Sequence, residues 1–224
     1  MRAALSIVIP TLNAEPVLPA CLISLMEGVE AGLVRELIVS DGGSSDATRT
    51  IADEVGARWV EGPPGRGGQL ARGVERAGGD WLLALHADSV LGPGWVEAVE
   101  RGMARGGPAY FPLRFRARGL GPRVVAGWAN LRARALGLPF GDQGLLVPRA
   151  MYDAAGGYPE IPLMEDVALA RALPRLRPLE ARLETGWARY EGRWARQGAG
   201  NLVRQARFLM GADPARLARG YGRD

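Results

Sequence analysis

The stretch DWLLALHADS, residues 80–89, holds the only histidine of the chain and sets it two positions before Asp88. An apolar run, Trp81 to Leu85, ends there. A strand that closes on polar groups delivers them to one edge of its sheet, where ligands of open parallel sheets bind. Three further clusters share this placement. Thr11 and Asn13 follow LSIVIP, Asp41 follows ELIVS, and Asp142 stands with Glu165 and Asp166 farther along. Carboxylates gathered on one edge repel each other unless a cation or a donor-rich ligand joins them. That pattern suits a metal–diphosphate site. Taken singly, a loop aspartate is more commonly a turn or cap residue; the shared edge is what gives the set its weight. Ser89 with His86 makes a poor hydrolytic relay, because two side chains three apart at a strand end rarely align as nucleophile and base.

The totals remove several chemistries. All 28 basic residues are arginine, so Schiff-base catalysis and the lysine of a Walker-type phosphate loop are excluded. One histidine rules out a multi-histidine zinc site. A bound metal would rest mostly on carboxylates, which suits Mg²⁺ or Mn²⁺. The lone Cys21 permits no internal disulfide and fits a reducing compartment, as a buried thiol on the first helix. The N-terminal MRAALSIVIPTLNA reads as a strand interrupted by Pro10 rather than as a signal peptide. No apolar run approaches the ~20 residues of a membrane-spanning helix, so a cytoplasmic protein is expected. Charge is uneven: residues 1–166 carry 16 Arg against 19 acids, residues 167–224 carry 12 against 5. The basic C-terminal part is read either as a solvated helix face or as a surface for phosphates or an anionic membrane. RFRARG (114–119) lacks any nucleic-acid-binding module, and no nucleic-acid partner is expected.

These residues must be placed by an alternating chain. LSIVIP (5–10) reads as a buried strand, and residues 16–31 put Val17, Cys21, Leu22, Leu25, Met26 and Val29 at helical spacing. ELIVSDGG (36–43) is a second strand, followed by a helix capped by Ser45 or Asp46. ARWVEG (57–62) is a third strand, GRGGQLARGVERAGG (65–79) a glycine-led helix, and DWLLALHADS the fourth strand. The alternation predicts an α/β fold with a mostly parallel sheet and helices on both faces. Right-handed crossovers put the strand ends on one edge. AYFPLRFRAR (109–118) alternates as a strand beside that sheet. A helix around 123–137, the loop LPFGDQG, the strand LLVP and a helix from about 166 follow. No repeat or linker divides residues 1–224.

LSIVIPTLNAE, ELIVSDGGSSDAT, GRGGQLARGVERAGGDWLLALHADS and FGDQGLLVPRAMYDAAGGYPEIPLMEDVALARAL, in this order, resemble family-2 glycosyltransferases of the GT-A fold. The likeness covers roughly residues 4–200 and is strongest to the short bacterial subfamily often labelled a radical-SAM/selenodomain-associated transferase. It implies a single GT-A-like domain: a nucleotide-binding half at about 1–108, an acceptor half at about 109–186, and a basic, helical C-terminal segment at 187–224. It implies that Pro10, Thr11, Asn13 and Asp41 hold the base and ribose of a UDP- or GDP-sugar. Arg66 and Gln69 would approach from the next loop, with Gly65, Gly67 and Gly68 letting the backbone come close. Asp88 matches the last acid of the family's DxD signature, which holds Mn²⁺ or Mg²⁺ on the diphosphate. Asp166 matches the catalytic base. Asp142, Gln143 and Glu165 would line the sugar or acceptor pocket, with Arg193 and Trp194 beside them. Displacement by a base opposite the leaving group inverts the anomeric centre.

The departures from the family pattern are specific. His86 stands where many members have the first acid of DxD; it is read either as a ligand or as a strand-end residue satisfied by backbone. YEGRW keeps Arg193 and Trp194 of the processive signature QxxRW but has Tyr190 for the glutamine, which argues for a non-processive enzyme. Glu165 and Asp166 together also read as a helix cap. Two rivals stand beside the transferase: a non-catalytic nucleotide-sugar-binding or membrane-docking protein of the same fold, and a nucleotidyltransferase. In segment 187–224, Leu202 to Met210 show helical spacing among Arg204 and Arg207, with Gly198, Gly200 and Gly211 expected as interruptions. That segment is expected either to pack its apolar side on the sheet, or to lie against the inner face of an anionic membrane and bring Asp166 to a lipid-linked acceptor.

Overall fold

The structure, a computed structural model, describes residues 3–219. Its first half alternates: β1 (Leu5–Thr11), α1 (Leu18–Glu30), β2 (Val34–Asp41), α2 (Thr48–Glu54), β3 (Arg58–Glu61), α3 (Arg66–Glu75) and β4 (Trp81–Ala84). Then come β5 (Val90–Leu91), α4 (Trp95–Ala104), β6 (Ala109–Tyr110), β7 (Leu113–Phe115), α5 (Leu120–Leu136), β8 (Leu145–Pro148), α6 (Arg149–Ala154) and α7 (Glu165–Ala172). β9 (Arg177–Pro178), β10 (Leu183–Thr185), α8 (Trp194–Leu209) and α9 (Pro214–Ala218) complete it. The main sheet has the order β3-β2-β1-β4-β8-β6-β9, and β5, β10 and β7 form a second, small sheet.

β1 is buried along its whole length. Its period of two explains how. Ile7 and Ile9 face the core shared with Leu18 of α1 and Trp95 of α4, while Val8 faces the core shared with Leu70 and Val74 of α3. Both faces are therefore covered by helices, as a parallel sheet requires. β1 runs parallel to β2 and β4, but β8 runs antiparallel to β4. This reversal matters for the site. Residues that precede β8, Asp142 and Gln143, arrive at the same edge as the carboxyl ends of β1, β2 and β4.

Several expectations are corrected. The fourth strand ends at Ala84, so His86 and Asp88 sit beyond the ladder, in the turn that leads to β5. AYFPLRFRAR is not one strand. Pro112, which has no N–H to give a ladder, separates β6 in the main sheet from β7 in the small one. On α1 the buried face runs through Leu18, Cys21, Leu22, Leu25 and Gly28, leaving Met26 and Val29 about half exposed. Gly28 is turned inward because Trp95 packs on it: a Cβ there would lie 2.3 Å from the indole. Of the two, Asp46 serves the start of α2, accepting from the Thr48 N–H at 3.0 Å, while the Ser45 N–H goes to Asn13. Gly198 and Gly200 do not interrupt α8; Gly211, at φ +91°, lies just past its end. α8 packs on α5. Residues 220–224, which close the basic segment, lie outside the described residues.

Candidate functional site

At the ends of β1 and β2 the loops are held by their own side chains. Asp41 is buried, and both of its carboxylate oxygens are engaged. Oδ1 accepts from the hydroxyls of Thr11 (2.7 Å) and Ser44 (2.6 Å); Oδ2 accepts from the N–H groups of Gly43 (2.7 Å) and Ser44 (2.6 Å). Burial pushes this carboxyl up, but the Ser44, Thr11 and Gly43 donors outweigh it and hold Asp41 below the usual carboxylate range. A carboxylate has about four acceptor sites, so a base N–H can reach Asp41 only where one of these donors gives way. Gln69, expected to approach the nucleotide, has its amide engaged by backbone. It is a buried brace: Nε2 donates to the carbonyls of Thr11 and Ser40, and Oε1 accepts from Gly65. Pro10 and Thr11 are buried with β1, whereas Asn13 is exposed at φ +49°, a conformation asparagine tolerates.

Past β4, His86 and Asp88 form a pair. Nδ1 of His86 lies 2.6 Å from Asp88 Oδ1. Asp88 Oδ2 accepts from the Thr185 hydroxyl at 2.8 Å and the Gly186 N–H at 3.3 Å, at the end of β10. Arg116 donates to the Asp88 carbonyl at 3.1 Å. Burial acts to raise the Asp88 carboxyl, yet His86, Thr185 and Gly186 hold it well below the ordinary carboxylate range. Among the described residues, no group of three or more His, Cys, Asp or Glu gathers as a metal cage. A free acceptor site on Asp88 is the oxygen donor that would hold a divalent cation sharing its shell with a diphosphate. Nε2 of His86 points away from that carboxylate, so His86 orients the ligand and does not join it on the same ion.

The third cluster joins the loop before β8 to the start of α7. Asp166 accepts from the N–H groups of Gly141 (2.6 Å) and Val167 (2.7 Å). Arg66, from the first turn of α3, pairs with the buried Glu165 at 3.4 Å. Its guanidinium passes so close to Gly141 that a Cβ there would meet Nη2 at 1.8 Å and push the guanidinium aside. Arg66 thus belongs with the acids and not with the base-binding loop. Gln143 is fully buried and is corrected from pocket lining to brace, since its Oε1 accepts from Phe140 N and its Nε2 donates to Asn130. Glu165, expected toward solvent or acceptor, is buried against Arg66. Arg132 stacks its guanidinium 3.4 Å from the Phe140 ring centre, and burial lowers it to about 10 against the pull of Asp142 and Asp166. Arg193 and Trp194 are exposed at the start of α8 and make no hydrogen bond or ion pair with these acids. Arg66, Leu70, Phe140, Gly141, Tyr158 and Asp166 line a cavity of 20 Å³, room for about one water.

Asp142 is the strained member. Its Oδ1 is buried without a hydrogen-bond partner. Burial raises its carboxyl and Asp166 adds to this, while Arg66, His86 and Arg132 act against it. An acid whose folded value is raised costs stability above that value and costs nothing below its unfolded value. Asp142→Asn is therefore expected to melt at a higher temperature than the parent at pH 7. The gain should vanish as pH falls to the ordinary aspartate range near ~4. Thermal unfolding at both pH values checks this.

A mostly parallel sheet clad by helices, with its acids at the carboxyl edge, defines the GT-A class of nucleotide-binding fold. The chain belongs to glycosyl transferase family 2, whose sequence model matches residues 6–131. It is 42% identical over 93 residues to a PGL/p-HBAD biosynthesis glycosyltransferase of Mycobacterium bovis, a match covering 38% of this chain and 36% of that protein. Among solved structures it is similar to glucosyl-3-phosphoglycerate synthase from Mycobacterium tuberculosis in complex with Mn²⁺, uridine diphosphate and phosphoglyceric acid. That likeness has 23% identity and a TM-score of 0.57 and covers 90% of this chain and 78% of the other. TarS residues 1–349 of S. aureus, in complex with UDP, align at 14% identity and a TM-score of 0.61, covering 96% of this chain and 68% of that one. These two structures carry the fold.

Arg116, Thr185 and Gly186 were not foreseen as site residues. Thr185 lies 97 positions from Asp88, and nothing local in its sequence announces the contact.

Proposed function

We propose that the chain transfers a sugar from a nucleoside-diphosphate sugar to an acceptor hydroxyl, in one inverting and non-processive step. The observation that carries this reading is the Asp88–His86 pair and the Asp166 cluster on one sheet edge of a family-2 chain. UDP is the favoured nucleotide, because structural neighbours were solved with it; GDP is the alternative. Residues 1–108 would serve the nucleotide and 109–186 the acceptor, in a cytoplasmic enzyme of the short radical-SAM-associated subfamily.

The side chains divide the labour. Asp88 would hold Mn²⁺ or Mg²⁺ on the diphosphate, and His86 would orient its carboxylate. When bound, such a cation neutralises the charge that grows on the leaving group. Thr185 and Gly186 fix the Asp88 carboxylate, and Arg116 fixes its backbone. Asp166 takes the proton of the acceptor hydroxyl, held in place by the Gly141 N–H. Arg66 sits between the acids and offsets part of the rise that burial imposes on Glu165 and Asp142. Glu165, Gln143 and Gln69 position these groups and touch no substrate.

Thermal unfolding with UDP or GDP, with and without Mn²⁺, tests the reading. Ligand at about a hundred times its Kd stabilises by ~2.7 kcal/mol, or roughly 5–10 °C for a chain of this size. UDP with Mn²⁺ should give that shift, followed by slow UDP release from UDP-sugars. No shift with either nucleotide and either metal would refute it. A shift without any sugar transfer or hydrolysis would favour the non-catalytic binding protein.

A further inference from the structure

The face of α5 turned away from the site is apolar, and it is bare. Leu120, Val124, Trp128 and Leu131 recur at helical spacing and are 73%, 46%, 51% and 59% exposed. One residue back at each step, about 100° around the helix, Gly119, Arg123, Gly127 and Asn130 line an open groove of 1050 Å³, and Arg134 joins them one turn on. Arg114, Arg118 and Arg182 line it as well. Among the described residues, Arg118, Arg123, Arg134 and Arg182 have no carboxylate within ion-pair distance. Residues 101–141 hold eight arginines and no acid. A second copy of this chain would bring its own uncompensated arginines to the same place, and a neutral partner would leave the groove unmatched.

We propose that the outer face of α5 docks on an anionic lipid bilayer. The apolar stripe enters the headgroup boundary and the arginine-lined groove receives lipid phosphates. Trp128 has the amphipathic ring that such a boundary favours. α5 has 17 residues, and no helix among the described residues is long and apolar enough to cross a membrane, so it lies on the surface. The inner face of the same helix carries Asn130 and Arg132, which reach Gln143, and Arg116 just before the helix holds the Asp88 backbone. Docking through α5 would therefore bring the sheet edge close to the lipid surface. The membrane contact would then lie on α5 and not on the C-terminal segment, whether or not the chain transfers sugars.

Co-sedimentation with vesicles of phosphatidylcholine, alone or mixed with phosphatidylglycerol, tests it. Binding is expected only to the mixed vesicles, weakening as salt rises. Neutralising Arg123 and Arg134 as glutamine should weaken it by roughly fivefold per arginine. The double variant Val124→Glu, Leu131→Glu should weaken it by at least about tenfold. Circular dichroism and UDP-dependent melting verify that these surface variants fold. A blue shift of tryptophan fluorescence on mixed vesicles should be largely lost in Trp128→Phe. No sedimentation at low salt overturns the proposal, as does sedimentation undiminished by the double glutamate variant. So does full competition by inorganic phosphate, which would mean an anion pocket and not a bilayer surface. Dimers that the glutamate variant dissociates, without vesicle binding in the parent, would assign the face to a second copy. Failure of nucleotide binding with vesicle binding intact would refute only the transferase reading.

Discussion

Asp166→Asn is expected to lower turnover by ~10²–10⁴-fold, the usual cost of losing a general base, while UDP affinity changes little. Asp166 accepts from Gly141 and Val167 through separate oxygens. Asparagine keeps one of these acceptors and turns an NH₂ toward the other donor. Part of the loss would then be structural, worth ~1–3 kcal/mol of stability for a donor left without a partner. Two readouts keep the cases apart. A base defect lowers kcat and leaves the Mn²⁺-dependent Kd of UDP within a few-fold. A misplaced Gly141 loop also moves Arg66, which the missing Cβ of Gly141 admits, and would weaken binding and rate together. Equal losses in both, or an unchanged rate, would remove Asp166 from the chemistry and leave it as the residue that ties α7 to the loop before β8.

Much of this architecture was legible because it is written locally. The β-branched run of β1 and the helical spacings of α1 and α3 each follow from a period that one stretch of chain displays on its own. The polar edge was legible for the same reason, since strand ends can be counted. The errors fall where a side chain's role is decided by distant chain. Gln69 and Gln143 look like ligand contacts in a glycine-rich setting. Their amides instead satisfy backbone groups of Thr11, Ser40, Gly65 and Phe140, brought together only by the sheet. Arg66 follows four candidate nucleotide residues in sequence, yet α3 aims it at Glu165. Asp142 reached the edge by a route not expected, the antiparallel run of β8. The two glycines of α8 would each cost about 1 kcal/mol in an isolated helix. Packing on α5 offsets that cost, and no local rule shows it.

Asp88→Asn is expected to remove most of the metal dependence of UDP binding, a loss of ~10–100-fold if one charge-assisted contact of ~1.5–3 kcal/mol disappears. The carboxylate does three things at once: it accepts from His86, from Thr185 and from Gly186. Asparagine cannot accept on both atoms, so either His86 or the Thr185–Gly186 pair loses its partner. Stability should reveal this separately from binding. Because Asp88 is held below its unfolded value, its contribution to folding is fully present above about pH 4 and is lost as pH falls through the lower, folded value. The variant should be less stable than the parent at pH 7, and the gap should close in strong acid. Thr185→Val provides the comparison. It removes one donor and leaves the charge, so it should weaken Mn²⁺-dependent binding less than Asp88→Asn while raising the pH at which stability is lost. Calorimetric titration of UDP at fixed Mn²⁺, set beside urea unfolding across pH, separates the two effects. If Asp88→Asn binds UDP with undiminished metal dependence, the cation is not held at this turn. The pair with His86 would then be a structural clasp between β4 and β10.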